Sequence, residues 1–215
     1  MFVKICGLTR GTDADAAVEY GASAVGFIFW SQSRRYLDPE AARAIVRRLP
    51  PFVTPVGVFV NESVDRINAV ADRVGLGAVQ LHGDEQTDVL AGLERPVVKA
   101  VSEVHAGTAS AWPSEVLLLV DAHDPVQRGG TGMPADWVAA AQLATQRRVL
   151  LAGGITPENV VDAVSSVRPF GIDVSSGVES APGIKNPERI RALFDALRGS
   201  VAEPERRLMR GSSAR

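Results

Sequence analysis

The chain of 215 residues contains a single cysteine, Cys6, near its start. One cysteine cannot form an internal disulfide and leaves thiolate metal sites short of ligands, so Cys6 is either a small buried residue or a reactive one. Side chains alternate along a strand, so Lys4 would point to the same side as Cys6, where a cation favours the thiolate. The location of Cys6 at the end of a strand-like run favours the reactive interpretation.

Asp121 follows an apolar run, Leu-Leu-Leu-Val at 117–120. Such a run is typical of a strand buried on both faces, where a carboxyl group is costly unless it caps a helix or loop, is paired, or is functional. A partly desolvated carboxyl has a raised pKa and can hold a proton for donation, which suits a general acid. The residue alone leaves capping and acid catalysis open, and with Cys6 it makes a base and acid pair possible.

Two glycine- and serine-rich segments indicate an anion site. They are Gly153-Gly154 and Ser175-Ser176-Gly177, and each follows an apolar run. Glycine lets the backbone come close to a ligand, while N–H groups and serine hydroxyls donate to phosphate oxygens. Each segment alone is equally well explained as a tight turn. Phosphate sites in barrels often lie after strands seven and eight, where both segments fall, so the pair favours phosphate.

Four further polar positions lie at or just beyond the ends of strand-like runs. Arg35 or its neighbour Arg34 can bind a carboxylate through two hydrogen bonds. Gln80 and His82 lie in Gln-Leu-His-Gly at 80–83, and we interpret His82 as a hydrogen-bonding residue, because one imidazole rarely suffices for a metal. Asp173 either contributes to the site or orders the serine loop. No metal and no cofactor are predicted.

Runs rich in Val, Ile and Leu alternate with segments of helical periodicity, which is typical of parallel strands joined by crossover helices. The predicted strands are 2–6, 24–29, 55–60, 78–81, 97–101, 116–120, 149–152 and 170–174. The predicted helices are 13–20, 39–49, 64–74, 85–93, 104–111, 135–144, 157–167 and 187–197. Eight such units in about 200 residues match a closed barrel better than an open doubly wound sheet.

The predicted fold is therefore an α/β protein, a (βα)8 TIM barrel of eight parallel strands in a single domain. We place the barrel at 1–198 and expect a disordered tail at 199–215, which is polar and without apolar periodicity. Functional residues of such barrels lie at the carboxyl ends of the strands, as the candidates above do. Strands one and six are three places apart in the ring, so Cys6 and Asp121 can reach one substrate across the barrel mouth.

The composition argues against several classes of protein. A formal net charge of -2, without a dominant basic stripe, is not typical of a nucleic-acid-binding protein. The N-terminus lacks the apolar core of a secretory signal, and no apolar run is long enough to cross a bilayer. We expect a soluble cytoplasmic protein whose partner is a small phosphorylated molecule, not a nucleic acid or a membrane.

These segments resemble the phosphoribosylanthranilate isomerase family, whose members are barrel enzymes of tryptophan biosynthesis. The resemblance covers about residues 2–198. Its most specific motifs are Lys-Ile-Cys-Gly at 4–7, Gln-Leu-His-Gly at 80–83 and Asp-Val-Ser-Ser-Gly-Val-Glu at 173–179. The other matching segments are 26–29, 33–36, 56–61, 119–122, 129–132 and 153–160.

The resemblance implies an Amadori rearrangement of N-(5-phosphoribosyl)anthranilate to 1-(2-carboxyphenylamino)-1-deoxyribulose 5-phosphate, without metal or cofactor. Asp121 would be the general acid that protonates the furanose ring oxygen and opens the sugar to an iminium at C1′. Cys6, as the thiolate, would then remove the C2′ proton to give an enolamine that tautomerises to the ketone. Two groups of opposite protonation state suit these two proton transfers.

The same resemblance implies binding roles. Arg35 would hold the anthranilate carboxylate, and the two loops of glycine and serine would hold the phosphate. Gln80, His82 and Asp173 are expected to contact the substrate.

Two alternatives share the phosphate loops. One is another phosphosugar-binding barrel enzyme, either an indole-glycerol-phosphate synthase, with lysine and glutamate at the strand ends, or a ribulose-phosphate epimerase, with a histidine and aspartate cluster for metal. Neither residue set is visible in the sequence. The other alternative is a noncatalytic sensor of a phosphorylated metabolite. The sequence leaves a monomer and a homodimer open.

Overall fold

The fold is given by a computed structural model that describes residues 1–101, 110–121 and 136–210, with side chains described as far as residue 200. The predicted helix at 104–111 lies almost wholly outside the described residues, and so does the segment 129–132. Within the described part of the chain, no helix is long and apolar enough to cross a membrane.

Eight parallel strands pair in sequence order, and the first pairs with the last to close a barrel. They are β1 (Phe2–Ile5), β2 (Ala24–Ile28), β3 (Thr54–Phe59), β4 (Ala78–Leu81), β5 (Val97–Val101), β6 (Leu117–Val120), β7 (Val149–Leu151) and β8 (Gly171–Val174). Every predicted strand is present, and no boundary moves by more than one residue. The predicted α/β (βα)8 TIM barrel is confirmed.

Helices cover the outside of the barrel. Those in the described residues are α1 (Gly11–Tyr20), α2 (Pro39–Val46), α3 (Val64–Val74), α4 (Trp137–Ala144), α5 (Val160–Val167) and α6 (Pro187–Arg210). The side chains of Asp38 and Asn186 each accept a hydrogen bond of 2.8 Å from a backbone N–H of the first helical turn. A proline occupies the first helical position after each cap, where its missing N–H costs nothing.

The predicted helix at 85–93 is wrong, because this segment contains only a short 3-10 turn, Thr87–Ala91. The Glu85 carboxylate accepts hydrogen bonds from the backbone N–H groups of Gly83 and Asn61, at 2.9 and 2.8 Å. It also pairs with Lys99 Nζ at 2.6 Å. These contacts engage Glu85 with the loops at the barrel mouth, so it does not begin a helix.

Alternate strand residues fill the barrel interior. At the amino end this filling is apolar, and Phe2 packs against a cluster that includes Ala78. Two residues further along the same strands the side chains are polar, Lys4 on β1 and Gln80 on β4, and both are buried. One more strand period leads to the mouth, where these positions are occupied by Cys6, His82, Asp121 and Ser175. An apolar floor therefore lies beneath a layer of polar groups.

A two-stranded hairpin, β9 (Glu179–Ala181) and β10 (Ile184–Lys185), follows β8 and leads into α6. The helical backbone of α6 passes through the proposed domain boundary at residue 198 and continues to Arg210. The barrel domain at 1–198 and the disordered tail at 199–215 stay predictions.

Candidate active site

Cys6 lies beside a buried ion pair at the end of β1. Lys4 Nζ donates to Asp173 Oδ1 at 2.9 Å, and the two residues are register partners on β1 and β8. Gly26 on β2 leaves the space for both neighbours, since a Cβ there would lie 2.7 Å from Cys6 Sγ and 3.1 Å from Lys4 Cε. The predicted juxtaposition of Cys6 and Lys4 on one face is therefore present.

Burial is the largest influence on the Cys6 thiol, and it raises the pKa. The ammonium group of Lys4 lowers the pKa of Cys6 but does not reverse the shift, and the Asp173 carboxylate adds to the rise. Lys4 therefore does favour the thiolate, as expected from the sequence. The net shift of the Cys6 pKa is nevertheless upward, because burial disfavours the thiolate more than Lys4 favours it.

Arg35 reaches the same side of the mouth, over Gly7. A Cβ on Gly7 would lie 2.6 Å from Arg35 Cδ, and Gly7 has φ of +72°, a left-handed conformation that favours glycine. The guanidinium donates from Nε and Nη2 to the two carboxylate oxygens of Glu179, at 2.8 and 2.7 Å. Lys185 Nζ donates to the same carboxylate at 2.7 Å.

The sequence reasoning did not single out Glu179 or Lys185. Glu179 stands in one of the most specific motifs of the resemblance, at 173–179, which was a signal that could have found it. Lys185 has no such signal. It follows the last barrel strand and reaches the site only because the β9–β10 hairpin folds back over the mouth.

On the other side of the mouth, Gln80, His82 and Asp121 form a row. His82 Nε2 lies 3.3 Å from Asp121 Oδ2, and its Nδ1 lies 2.8 Å from Gln80 Nε2. With the Gln80 amide donating to Nδ1, the ring proton of a neutral His82 is on Nε2 and points to Asp121. Asp121 is 8 % exposed, so its carboxyl group lies at the boundary between the barrel interior and solvent.

The two predicted phosphate loops meet. Gly153 and Gly154 have φ of 75° and 65°, which favours glycine. A Cβ on Gly177 would lie 1.9 Å from the carbonyl oxygen of Ile155, so only glycine permits this approach of the loops after β7 and β8. A cavity of about 340 Å³ beside them is lined by Gly154, Thr156, Ser176, Gly177, Glu179 and Arg189. Backbone N–H groups and hydroxyls here can donate to an anion.

The arrangement joins three kinds of group at one end of the barrel: a buried thiol, a carboxyl group next to an imidazole, and an anion-binding cavity. Within the described residues, no three His, Cys, Asp or Glu side chains are grouped so as to hold a metal ion. A model of the N-(5′-phosphoribosyl)anthranilate isomerase family matches residues 3–196. The chain belongs to this family.

Individual members are similar over most of their length. The N-(5′-phosphoribosyl)anthranilate isomerase of Citrifermentans bemidjiense is 48% identical over 194 residues, which are 89% of this chain and 94% of the relative. The crystal structure of the isomerase from Thermus thermophilus is 41% identical with a TM-score of 0.85, covering 93% of this chain and 99% of that one. A second structure, of a family member in complex with reduced 1-(o-carboxyphenylamino)-1-deoxyribulose 5-phosphate, is 40% identical with a TM-score of 0.82, at the same coverage.

Family membership confirms the predicted enzyme class and activity. The chain is an isomerase of tryptophan biosynthesis that converts N-(5-phosphoribosyl)anthranilate to 1-(2-carboxyphenylamino)-1-deoxyribulose 5-phosphate. The matches favour neither of the two alternatives, another phosphosugar-binding barrel enzyme or a noncatalytic sensor.

Proposed function

We propose that Asp121 is the general acid and Cys6 the general base of this isomerisation. The observation that carries the proposal is their placement. Cys6 directly follows β1 and Asp121 directly follows β6, and these two strands are separated in the ring by β7 and β8. A sugar lying across the mouth between these strands has one proton-transfer group at each end. Two such groups are what an acid-promoted ring opening and a deprotonation at carbon require.

In the first step Asp121 transfers its proton to the furanose ring oxygen. The C1′–O bond breaks, the ring oxygen keeps the electron pair as a hydroxyl group, and the nitrogen lone pair forms the iminium at C1′. The His82 Nε2–H contact supports the carboxylate that remains, because a donated hydrogen bond stabilises its developing charge.

In the second step the Cys6 thiolate accepts the C2′ proton. The C–H electron pair forms the C1′=C2′ bond, the iminium nitrogen becomes neutral, and the enolamine tautomerises to the ketone. Since burial raises the pKa of the thiol, the active fraction at neutral pH is small, and the Lys4 ammonium is the group that favours it.

The binding roles complete the proposal. Arg35 holds the anthranilate carboxylate, and Gln80, His82 and Asp173 contact the sugar. The phosphate lies at Gly153, Gly154, Ser175, Ser176 and Gly177. Support comes from the cavity beside the loops that follow β7 and β8 and from the charged groups around Arg35.

The remaining parts of the proposal concern partners and location. The partner is a small phosphorylated molecule, and the protein acts in the cytoplasm, where a substrate that cannot diffuse through a bilayer is retained. A monomer and a homodimer are both compatible with the site, because every residue in it comes from one chain. Sedimentation velocity distinguishes them.

Single-residue variants test the two catalytic assignments through the loss of substrate fluorescence. Cys6→Ala should lower kcat by about 1,000-fold and Asp121→Asn by about 100-fold or more, as general bases and acids typically contribute about 100- to 10,000-fold. Asp195→Asn, at an exposed carboxylate on α6, is the matched control and should keep wild-type turnover. Near-wild-type kcat in Cys6→Ala would remove the base assignment, and kcat within about tenfold of wild type in Asp121→Asn would remove the acid assignment.

A further inference from the structure

The β9–β10 hairpin brings two charged residues to the mouth of the barrel, and the side chains of both are almost fully covered. Lys185 is 1% exposed, and its Nζ donates to Glu179 Oε1 at 2.7 Å and to the Ser175 carbonyl oxygen at 3.1 Å. The backbone N–H of Lys185 donates to Asp13 Oδ2 at 2.9 Å, which anchors the hairpin on α1. Glu179 and Lys185 are therefore held from several sides.

Glu179 engages one edge of the Arg35 guanidinium. The Nε and Nη2 groups form the side edge, and both donate to the carboxylate in a two-point pair. The opposite edge is made by Nη1 and the second N–H of Nη2, and among the described residues Nη1 forms no hydrogen bond or ion pair. A guanidinium can bind one carboxylate at each edge, so the pair with Glu179 leaves Arg35 able to accept a second one.

We propose that Glu179 and Lys185 are positioning residues for substrate binding: Glu179 directs the open edge of Arg35 towards the substrate carboxylate, and Lys185 couples that arrangement to the phosphate loop at Ser175. This inference rests on the proposed role of Arg35 in holding the anthranilate carboxylate. It adds that the binding site for the substrate carboxylate and the binding site for the phosphate are linked, because Lys185 Nζ contacts both Glu179 and Ser175.

The charges of the cluster support a positioning role for Glu179 over a proton-transfer role. Burial raises the pKa of Glu179, but the hydrogen bonds and charges of Arg35 and Lys185 outweigh it, and the pKa is lowered overall. A carboxylate held ionised by two cations is a poor proton acceptor.

A double-mutant cycle tests whether Glu179 acts through Arg35. The variants are Arg35→Ala, Glu179→Gln and the combination, and the probes are inhibition by anthranilate, which tests the carboxylate end, and by inorganic phosphate, which tests the other end. Arg35→Ala and Glu179→Gln should each raise the anthranilate inhibition constant by about tenfold or more. The double variant should equal Arg35→Ala within about twofold, because residues acting as one unit are not additive.

Lys185→Met tests the connection to the phosphate loop. It should weaken inhibition by anthranilate and by inorganic phosphate, each by about threefold or more. Glu179→Gln, which removes a negative charge from the lining of the phosphate cavity, should not weaken inhibition by inorganic phosphate. Glu40→Gln removes one carboxylate from an exposed pair with Arg73 and is the matched control. Circular dichroism and thermal unfolding establish that each variant is folded, and if Lys185→Met does not fold, the cycle on Glu179 still decides the proposal.

The outcomes separate the inference from the function on which it rests. If Arg35→Ala leaves anthranilate inhibition unchanged, the carboxylate role of Arg35 fails and the positioning role fails with it. If Arg35→Ala weakens inhibition but Glu179→Gln does not, or if their effects add, only the positioning role is overturned. A folded Lys185→Met variant with wild-type phosphate inhibition would overturn the connection through Ser175.

Discussion

The two sides of the barrel mouth hold their functional groups in different ways. On the side of β1 and β8, Cys6 lies among buried ionic groups, with the Lys4–Asp173 pair beneath it and the Arg35–Glu179 pair beside it. On the side of β4 and β6, Asp121 is the end of a row of hydrogen-bonding groups that begins at Gln80 and passes through His82.

The difference teaches how one scaffold supports two opposite proton transfers. A thiol surrounded by fixed charges in a dry interior has a pKa set by the balance of burial against neighbouring ions, so each ion has a large effect. On the other side, the carboxylate that Asp121 becomes after proton transfer is stabilised by a single hydrogen bond, which requires that the His82 N–H point towards it. Changes to ions on the first side should therefore be more damaging than changes to hydrogen bonds on the second.

Among variants of the groups that surround Cys6 and Asp121, the largest effect is expected from Lys4→Met. Without its cation, Cys6 loses the neighbour that favours the thiolate, and kcat should fall by about 100-fold. Asp173 is left buried and without Lys4, which should lower the free energy of unfolding by about 3–5 kcal/mol. Steady-state turnover and urea unfolding measure the two effects.

A second change separates stability from activity at this pair. Lys4→Met combined with Asp173→Leu replaces both buried ions by apolar groups and should recover most of the lost stability, because the unpaired charge is removed. Activity should stay low. A Lys4→Met protein with kcat within about tenfold of wild type would contradict the view that this ammonium group sustains the base.

The rate of Cys6 alkylation should depend on pH in the direction set by burial. The folded protein has a raised thiol pKa, so the thiolate fraction, and with it the rate of reaction with iodoacetamide, should still be rising with pH at pH 9. The urea-unfolded chain is the control, and its rate should level off near the ordinary pKa of about 8.5. Because the chain has one cysteine, all labelling reports this site. If the alkylation rate of the folded protein reached its plateau at a lower pH than that of the unfolded chain, the effect of Lys4 on the thiol pKa would outweigh the effect of burial.

The site residues that could be predicted from the sequence are those that directly follow the barrel strands. Cys6, His82 and Asp121 each lie one residue beyond the end of a barrel strand, and alternation along the strands is enough to bring them to one mouth. The direction of the Cys6 pKa shift was not accessible, because it depends on how completely the folded chain excludes water around the thiol.

For two further residues, the position or conformation could not be predicted from the sequence. Lys185 reaches the site through a hairpin that lies outside the strand and helix alternation, so periodicity does not place it. Glu85 has the residue type and position of a helix start, yet tertiary contacts with Lys99 and the Asn61 backbone decide its conformation. In both cases one deciding partner is distant in the sequence, Asp13 for the Lys185 backbone and Asn61 for Glu85.

On the second side of the mouth, His82 offers a matched pair of variants. His82→Asn keeps an amide near the Nδ1 position but removes the Nε2 contact to Asp121, and kcat should fall by about tenfold through the loss of one hydrogen bond to a charged group. His82→Gln places an amide near the Nε2 position and should retain kcat within about threefold. Equal kcat values for the two variants would contradict the assignment of the functional contact to Nε2.

The smallest effect on kcat is expected from Gln80→Leu, which acts on Asp121 only through His82, whereas the loss of its proposed contact to the substrate would be measured in KM. Removing the amide frees Nδ1 of His82 to carry the ring proton, so the tautomer that points Nε2–H at Asp121 is less populated, and kcat should fall about two- to threefold. The Gln80 side-chain oxygen has no hydrogen-bond partner among the described residues, and leucine has a similar volume. The free energy of unfolding should therefore change by less than about 1 kcal/mol, since an unsatisfied buried oxygen is lost together with the bond. A fall in kcat as large as that of Lys4→Met would mean that the hydrogen-bonded row is as sensitive as the ionic cluster, and the distinction between the two sides would be lost.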